Sequence, residues 1–165
     1  MAFPRKRVII DTDGGVDDAM AILIALQQTD VIAITTVFGN VELEQATENV
    51  QTILDLFDFG HVPVFKGAAV PLIRLETPAK WTGHYTDPQK HCRSLLGWFS
   101  DFNLCDVNIG HGKNGLGDQT FHIPEKKKIS KVHPQTAAQA LVELARQQPQ
   151  VSSIIFPVVF IKHEL

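Results

Sequence analysis

Cysteine is almost missing from this chain of 165 residues. Only Cys92 and Cys105 occur. That is too few to point to a disulfide framework, and a reducing compartment is the simpler expectation. Charge of one sign is not in excess either. The formal net charge is −3, so no general affinity for nucleic acid or for an anionic membrane is expected. No apolar run is long enough to span a bilayer. The opening MAFPRKRVII carries a basic patch, but its apolar run is too short for a signal peptide and meets acids from Asp11 onward. The terminal KHEL faintly resembles a retrieval signal of the endoplasmic reticulum; without a signal peptide it reads as chance. A cytoplasmic location is the default expectation. Internal repeats and an interdomain linker are also lacking. What remains is ordinary for a soluble globular protein, with 44% hydrophobic and 20% charged residues. The length suits one domain with a sizeable core.

The stretch VIIDTDGGVDD, Val8 to Asp18, organises the rest. Four carboxylates, Asp11, Asp13, Asp17 and Asp18, fall within eight residues. Arg7 to Ile10 read as a buried strand, because an unbroken β-branched run bounded by a turn suits a strand covered on both faces. Gly14 and Gly15 supply a tight turn and a close backbone approach. AMAILIAL, Ala19 to Leu26, is apolar all round and reads as a buried helix. Asp17 and Asp18 then stand in that helix's first turn, where its dipole favours negative charge. Capping needs one acid, not four. Four acids at one turn repel unless a cation neutralises them, and clustered hard oxygens suit Ca²⁺ or Mg²⁺.

Further along, Val31 to Phe38 is a second β-branched run, ending at Gly39-Asn40. Apolar residues then recur at helical spacing through Glu42 to Asp58, with Gly60 as the stop. Val62 to Phe65 reads as a third strand. Short links between alternating strands and helices predict right-handed βαβ units. The fold class is therefore α/β, an open, mainly parallel sheet flanked by helices. Ligands of such sheets bind at the carboxyl ends of the strands, where Asp11, Asp13 and Asn40 all fall. Residues 68–132 lose regularity and read as a long loop or insertion, holding His84, His91, His111 and His122 and a short helix at Leu95 to Phe102. Lys126, Lys127, Lys128 and Lys131 read as a solvated loop rather than a binding patch. Thr136 to Gln147 is a further helix, and Val151 to Phe156 a fourth strand.

DTDGGVDDAMAI, ITTVFGN, VPVFKGAAVPL and GHGKNGLGD resemble, in order and spacing, the inosine-uridine-preferring nucleoside hydrolase family from about Arg7 to about Ile155. The resemblance implies a bound Ca²⁺ and hydrolysis of the N-glycosidic bond of ribonucleosides, such as inosine or uridine, to free base and ribose. Carried over residue by residue, it makes Asp13 the general base and a metal contact, and Asp18 a bidentate Ca²⁺ ligand. Asp17 and Asn40 become ribose-side residues. Asp11 supports the cluster, and His111 serves near the leaving base from a mobile Gly-rich loop.

The chain departs from the family pattern at three places, one of them the stretch from Thr82 to Ile109, which is longer than the pattern. Gly14 stands where the family usually has proline, which implies a less rigid turn. The family's fourth strand leads into an LTN segment whose backbone helps bind metal, whereas this chain reads PVVFIKHEL. The resemblance thus implies one incomplete domain, its C-terminal half missing, with the later ribose contacts and a His-Asp pair gone. A truncated product of marginal stability is the expectation, with an exposed sheet edge that favours self-association as a homo-oligomer.

The chemistry fits the residue types. A nucleoside is cleaved by a water through an oxocarbenium-like transition state. Asp13 accepts the water's proton, the acids favour positive charge growing on the sugar, and His111 supplies a proton near neutral pH. Three other readings stand beside this one. Cys92, Cys105 and His111 as zinc ligands lack a CxxC pair. A strand followed by DxDG also opens haloacid-dehalogenase-like phosphatases, with Asp11 as nucleophile, but that leaves the Asp17-Asp18 pair without a purpose. A catalytically inactive remnant, acting at most as a binding or interaction module, is the non-enzymatic reading.

Overall fold

The computed structural model describes residues 5–70, 111–147 and 151–155. The short helix expected at Leu95 to Phe102, together with His84, His91, Cys92, Cys105 and the PVVFIKHEL end, lies outside the described residues.

The strands are β1 (Arg7–Thr12), β2 (Asp30–Thr36), β3 (Val64–Lys66), β4 (Val132–His133) and β5 (Val151–Ile155). The helices are α1 (Val16–Gln28), α2 (Leu43–Leu56) and α3 (Ala137–Gln147). The five strands form one sheet in the order β4-β3-β2-β1-β5, and every pairing is parallel. Within the described residues, the expected strands and helices are present within a few residues of their predicted bounds. One strand was not foreseen. Val132–His133 pairs with Val64 and Phe65 at the edge, where the irregular stretch was expected to run on. Two residues are too few to show a hydrophobic alternation, so only the pairing partner reveals them.

The strand order explains where a site is placed. The chain steps outward from β1 through β2 and β3 to β4, then returns to lay β5 on the other side of β1. The winding direction therefore reverses at β1. Open α/β sheets leave a crevice at that switch point, outside the carboxyl ends of the strands. The acidic turn follows β1 directly.

Side chains alternate across the sheet. Val8 and Ile10 face α1 and α2, forming a core with Ile22, Leu26, Ile34, Val50, Leu54 and Val64. Ile9 faces the other way, toward Phe65, Ala137 and Ala140 beneath α3. A run of three buried β-branched residues is what a strand covered on both faces requires. The expectation that α1 is buried all round is corrected. Only one side, with Ile22, Ala25 and Leu26, meets the sheet. Met20 and Ile24, four residues apart, are 58% and 60% exposed. A helix laid on a sheet buries one stripe, and an apolar composition does not supply a second covering layer.

The edge of the sheet is fastened by a buried acid. Asp55 of α2 accepts hydrogen bonds from the backbone N–H of Ile129 and Ser130, at 3.2 and 2.8 Å, and from the Ser130 hydroxyl at 3.0 Å. Gln51 donates to the Ser130 carbonyl. Of the lysine cluster, Lys127 pairs with Asp58 and Lys128 with Glu125, as a solvated loop would. Asp55→Ala leaves two amides without their acceptor. It is expected to destabilise the chain by about 3 kcal/mol, within the range for hydrogen bonds to charged groups. Asp55→Asn, which keeps one acceptor oxygen, should lose about half as much. Denaturant melts of both variants check this.

Candidate active site

Gly15 caps α1 with an extended backbone, and Asp17 and Asp18 occupy the second and third helical positions. Asp18 reaches back to accept a hydrogen bond from the Gly15 N–H at 2.8 Å. It thereby satisfies one of the helix's free amides. The carboxylate thus serves as a cap, but only through Oδ2. Its Oδ1 is buried with no hydrogen-bond partner among the described residues, and the residue is 0% exposed.

Asp13 stands within hydrogen-bond reach of Asp18. Burial first, and then that hydrogen bond to Asp13, push the Asp18 carboxyl up to about 8; the Gly15 N–H pulls the other way. Two ionised carboxylates at this distance share no proton and repel. Either Asp18 keeps a proton or a cation lies between them. A buried carboxylate with one orphaned oxygen, beside a second carboxylate, offers part of the donor set a hard cation takes. The residues present therefore fit Ca²⁺, in part. No group of three or more His, Cys, Asp or Glu residues is placed to hold a metal among the described residues, and Ca²⁺ takes six to eight oxygens.

Asp13 is aimed from one side by Asn40. The Asn40 backbone N–H donates to its Oδ2 at 2.9 Å, and the Asn40 side-chain amide donates to its Oδ1 at 3.1 Å. A Cβ on Gly39 would lie 2.1 Å from Asp13 Oδ2, so only glycine lets the carboxylate lie this close. Asn40, expected to meet ribose, is thus first an orienting partner of Asp13. Asp11 lies one step back along β1. It accepts from the Thr35 hydroxyl of β2, and burial, opposed by that bond and aided by the Asp13 charge, raises its pKa. A half-buried acid turned to the neighbouring strand fits a supporting role and ill suits a nucleophile.

His111 comes from 95 residues further along the chain to the start of α1. Its Nδ1 accepts from the Val16 N–H at 3.1 Å and stands 3.5 Å from Asp17 Oδ1. Since Nδ1 accepts, the proton of the neutral ring is on Nε2. A Cβ on Gly15 would meet the Asn40 amide, His111 Nδ1 and Asp17 Oδ1, each within 2.9 Å. These three polar groups converge over a glycine because it leaves the space. All the predicted residues, Asp11, Asp13, Asp17, Asp18, Asn40 and His111, are therefore brought to one turn.

Two expectations about loops are revised. Gly14 has φ of 76°, which proline cannot adopt, its ring fixing φ near about −65°. The turn is held by bonds instead: Gly14 N–H donates to Thr12 Oγ1 at 3.1 Å, and Gly14 O accepts from Asn49 at 2.9 Å. The loop after His111, expected to be mobile, is tied to itself. Asn114 Oδ1 accepts from Leu116 and Asp118 N–H, and Asp118 Oδ1 accepts from Lys113 and Asn114 N–H.

Asn49 was missed by sequence reasoning. A signal existed: it lies on the buried stripe of α2, three residues after Ala46 and four before Ile53, where a polar side chain is out of pattern.

Comparison with known proteins agrees with the geometry. A family model described as inosine-uridine preferring nucleoside hydrolase matches residues 8–158. The chain is 34% identical over 152 residues to uridine nucleosidase 1 of Arabidopsis thaliana, covering 91% of this chain and 36% of that protein. It is 44% identical over 143 residues to an inosine-uridine preferring nucleoside hydrolase of Leishmania major, covering 86% and 35% respectively. A solved inosine-guanosine nucleoside hydrolase superposes with a TM-score of 0.61 at 29% identity, over 92% of this chain and 37% of that one. The chain thus spans little more than a third of the length of these relatives.

The acid pair makes stability depend on pH and metal. The native Asp18 pKa lies above its ordinary 3.8, so folding holds the proton. The stability this provides is complete below about 3.8 and is lost as pH rises through about 8. Melting temperature in a chelator should therefore fall from about pH 5 to about pH 9, and Ca²⁺ should restore more of it at the upper end. Asp18→Asn, neutral and able to donate to Asp13, should flatten the pH profile and abolish the Ca²⁺ response.

Proposed function

The chain belongs to the inosine-uridine preferring nucleoside hydrolase family, and from that premise we propose that its acidic turn cleaves the N-glycosidic bond of ribonucleosides such as inosine or uridine. The observation that carries the proposal is the Asp13 carboxylate, oriented by two Asn40 donors beside a buried, half-partnered Asp18 at the sheet's switch point. Asp13 and Asp18 would hold Ca²⁺. That ion, when bound, supplies a positive centre that orients a water and lowers its pKa.

Asp13 accepts the proton of the attacking water. Asn40 fixes the carboxylate's plane, so the accepting oxygen is in place before the water arrives. As the bond between C1′ and the base nitrogen breaks, its electron pair leaves with the base and positive charge grows on the sugar. Nearby acids favour that charge. Asp17, half-exposed at the mouth of the turn, accepts from a ribose hydroxyl, and Asn40 contributes its remaining oxygen. His111 carries its proton on Nε2, the nitrogen not committed to Val16, and donates a hydrogen bond from it to the departing base nitrogen, which takes its proton from solvent as Asp13 releases the one it accepted. Water oxygen ends on C1′, completing free ribose and free base.

One observation favours a second reading, a binding module without turnover. No three His, Cys, Asp or Glu residues are grouped to hold a metal among the described residues, whereas Ca²⁺ takes six to eight oxygens. The two readings part in one assay of the chain with Ca²⁺ and inosine or uridine. Hydrolysis predicts release of free base, and the module predicts bound nucleoside that stays intact.

Asp13→Asn is expected to lower base release by about a hundredfold or more, the usual worth of a positioned general base, with the fold unchanged by circular dichroism. His111→Ala should lower the rate less and leave Ca²⁺ affinity nearly unchanged. Near-normal turnover by Asp13→Asn would remove the general-base role.

A further inference from the structure

Asn49 lies outside the acidic motif and the histidine loop, yet it touches both. From the buried face of α2, its side-chain amide donates to Gly14 O at 2.9 Å and to Asn114 O at 2.8 Å. Its own oxygen accepts from Gln45 of the same helix at 3.0 Å. Both donors and the oxygen of the amide are therefore engaged in a residue only 3% exposed.

The two carbonyls belong to segments a hundred residues apart in the chain, on the order of magnitude that makes loop closure costly. They are also joined a second way. The loop from Asn114 returns through Gly117 N–H, which donates to His111 O at 2.7 Å. His111 Nδ1 then accepts from Val16 N–H, two residues after Gly14. The bonds close a ring: Asn49, Gly14 to Val16, His111, Gly117, Asn114 and back to Asn49. Gly115 allows the ring to close, since a Cβ there would lie 2.8 Å from Asn49 Nδ2 and 3.0 Å from Gly14 O.

We propose that Asn49 is a positioning residue that locks the acidic turn to the His111 loop and thereby fixes the place and tautomer of His111. It makes no contact with the reacting groups itself. The inference rests on the hydrolase reading for its functional meaning, but its physical content does not. Without the Asn49 donors, a buried and a half-buried carbonyl lose their partners, the loop separates from the turn, and His111 Nδ1 is no longer held on Val16. The imidazole then exchanges between its two neutral forms.

The test uses nitrogen NMR of His111 in the whole chain, with amide hydrogen exchange at Val16, Leu116 and Asp118. Asn49→Asp keeps the shape and the acceptor for Gln45 but donates nothing. It should average the two ring-nitrogen signals of His111 and speed exchange at those amides by about tenfold or more. Asn49→Leu should do the same. Ile53→Val, one turn along the same helix, controls for loss of stability alone and should leave the tautomer unchanged. In the unmodified chain, Val16 and Leu116 should open as one unit with a common denaturant dependence, a measurement that needs no variant to fold. Single-tautomer signals in both Asn49 variants, or independent opening of Val16 and Leu116, would overturn the proposal. None of these readouts uses a nucleoside, so absence of base release would fault the hydrolase reading and leave this one standing.

Discussion

Two carboxylates that cannot both be ionised and alone lie at the centre of this structure. Asp13 and Asp18 are brought together at the end of β1 and the start of α1, one of them fully out of water. Desolvation and like charge act in the same direction there, and the helix dipole with one capping amide offsets only part of it. A fold does not ordinarily keep such a pair. Its presence argues for a positive partner, a proton up to about pH 8 or a hard cation above it.

The rest of the frame maintains that pair. The reversal of strand order at β1 opens the crevice. Gly39 admits the Asp13 carboxylate, and Asn40 orients it from backbone and side chain together. Thr35 holds Asp11 behind it. On the other flank His111 closes over the first turn of α1, and Asn49 ties its loop to the turn. Most of these contacts are single hydrogen bonds of modest net worth. Their effect is geometric: they remove alternative positions for groups whose reactivity depends on place.

Much of this was legible in the residues. The β-branched runs, the Gly-rich turns and the amphipathic stripe of α2 report their own structure, because burial on both faces or on one leaves a period in the chain. The acidic turn was legible because four acids at one place have no structural need. What stayed hidden were features set by partners distant in sequence. β4 is two residues long and exists by pairing with β3. The exposed stripe of Met20 and Ile24 follows from which side of α1 meets the sheet, and composition does not carry that. Asn49 was visible only as a polar residue on an apolar stripe. The left-handed φ of Gly14 was hidden behind a family pattern that has proline there.

The central claim is that the acidic turn needs a cation when ionised. Carbon NMR of the Asp18 carboxyl, titrated with and without Ca²⁺, tests it most directly. Without the ion the group should titrate near the value of about 8 that burial and Asp13 impose. With Ca²⁺ in excess it should stay ionised to well below that value, since the ion favours the charged form. An Asp18 carboxyl that titrates in the ordinary carboxylate range in both conditions would contradict the account.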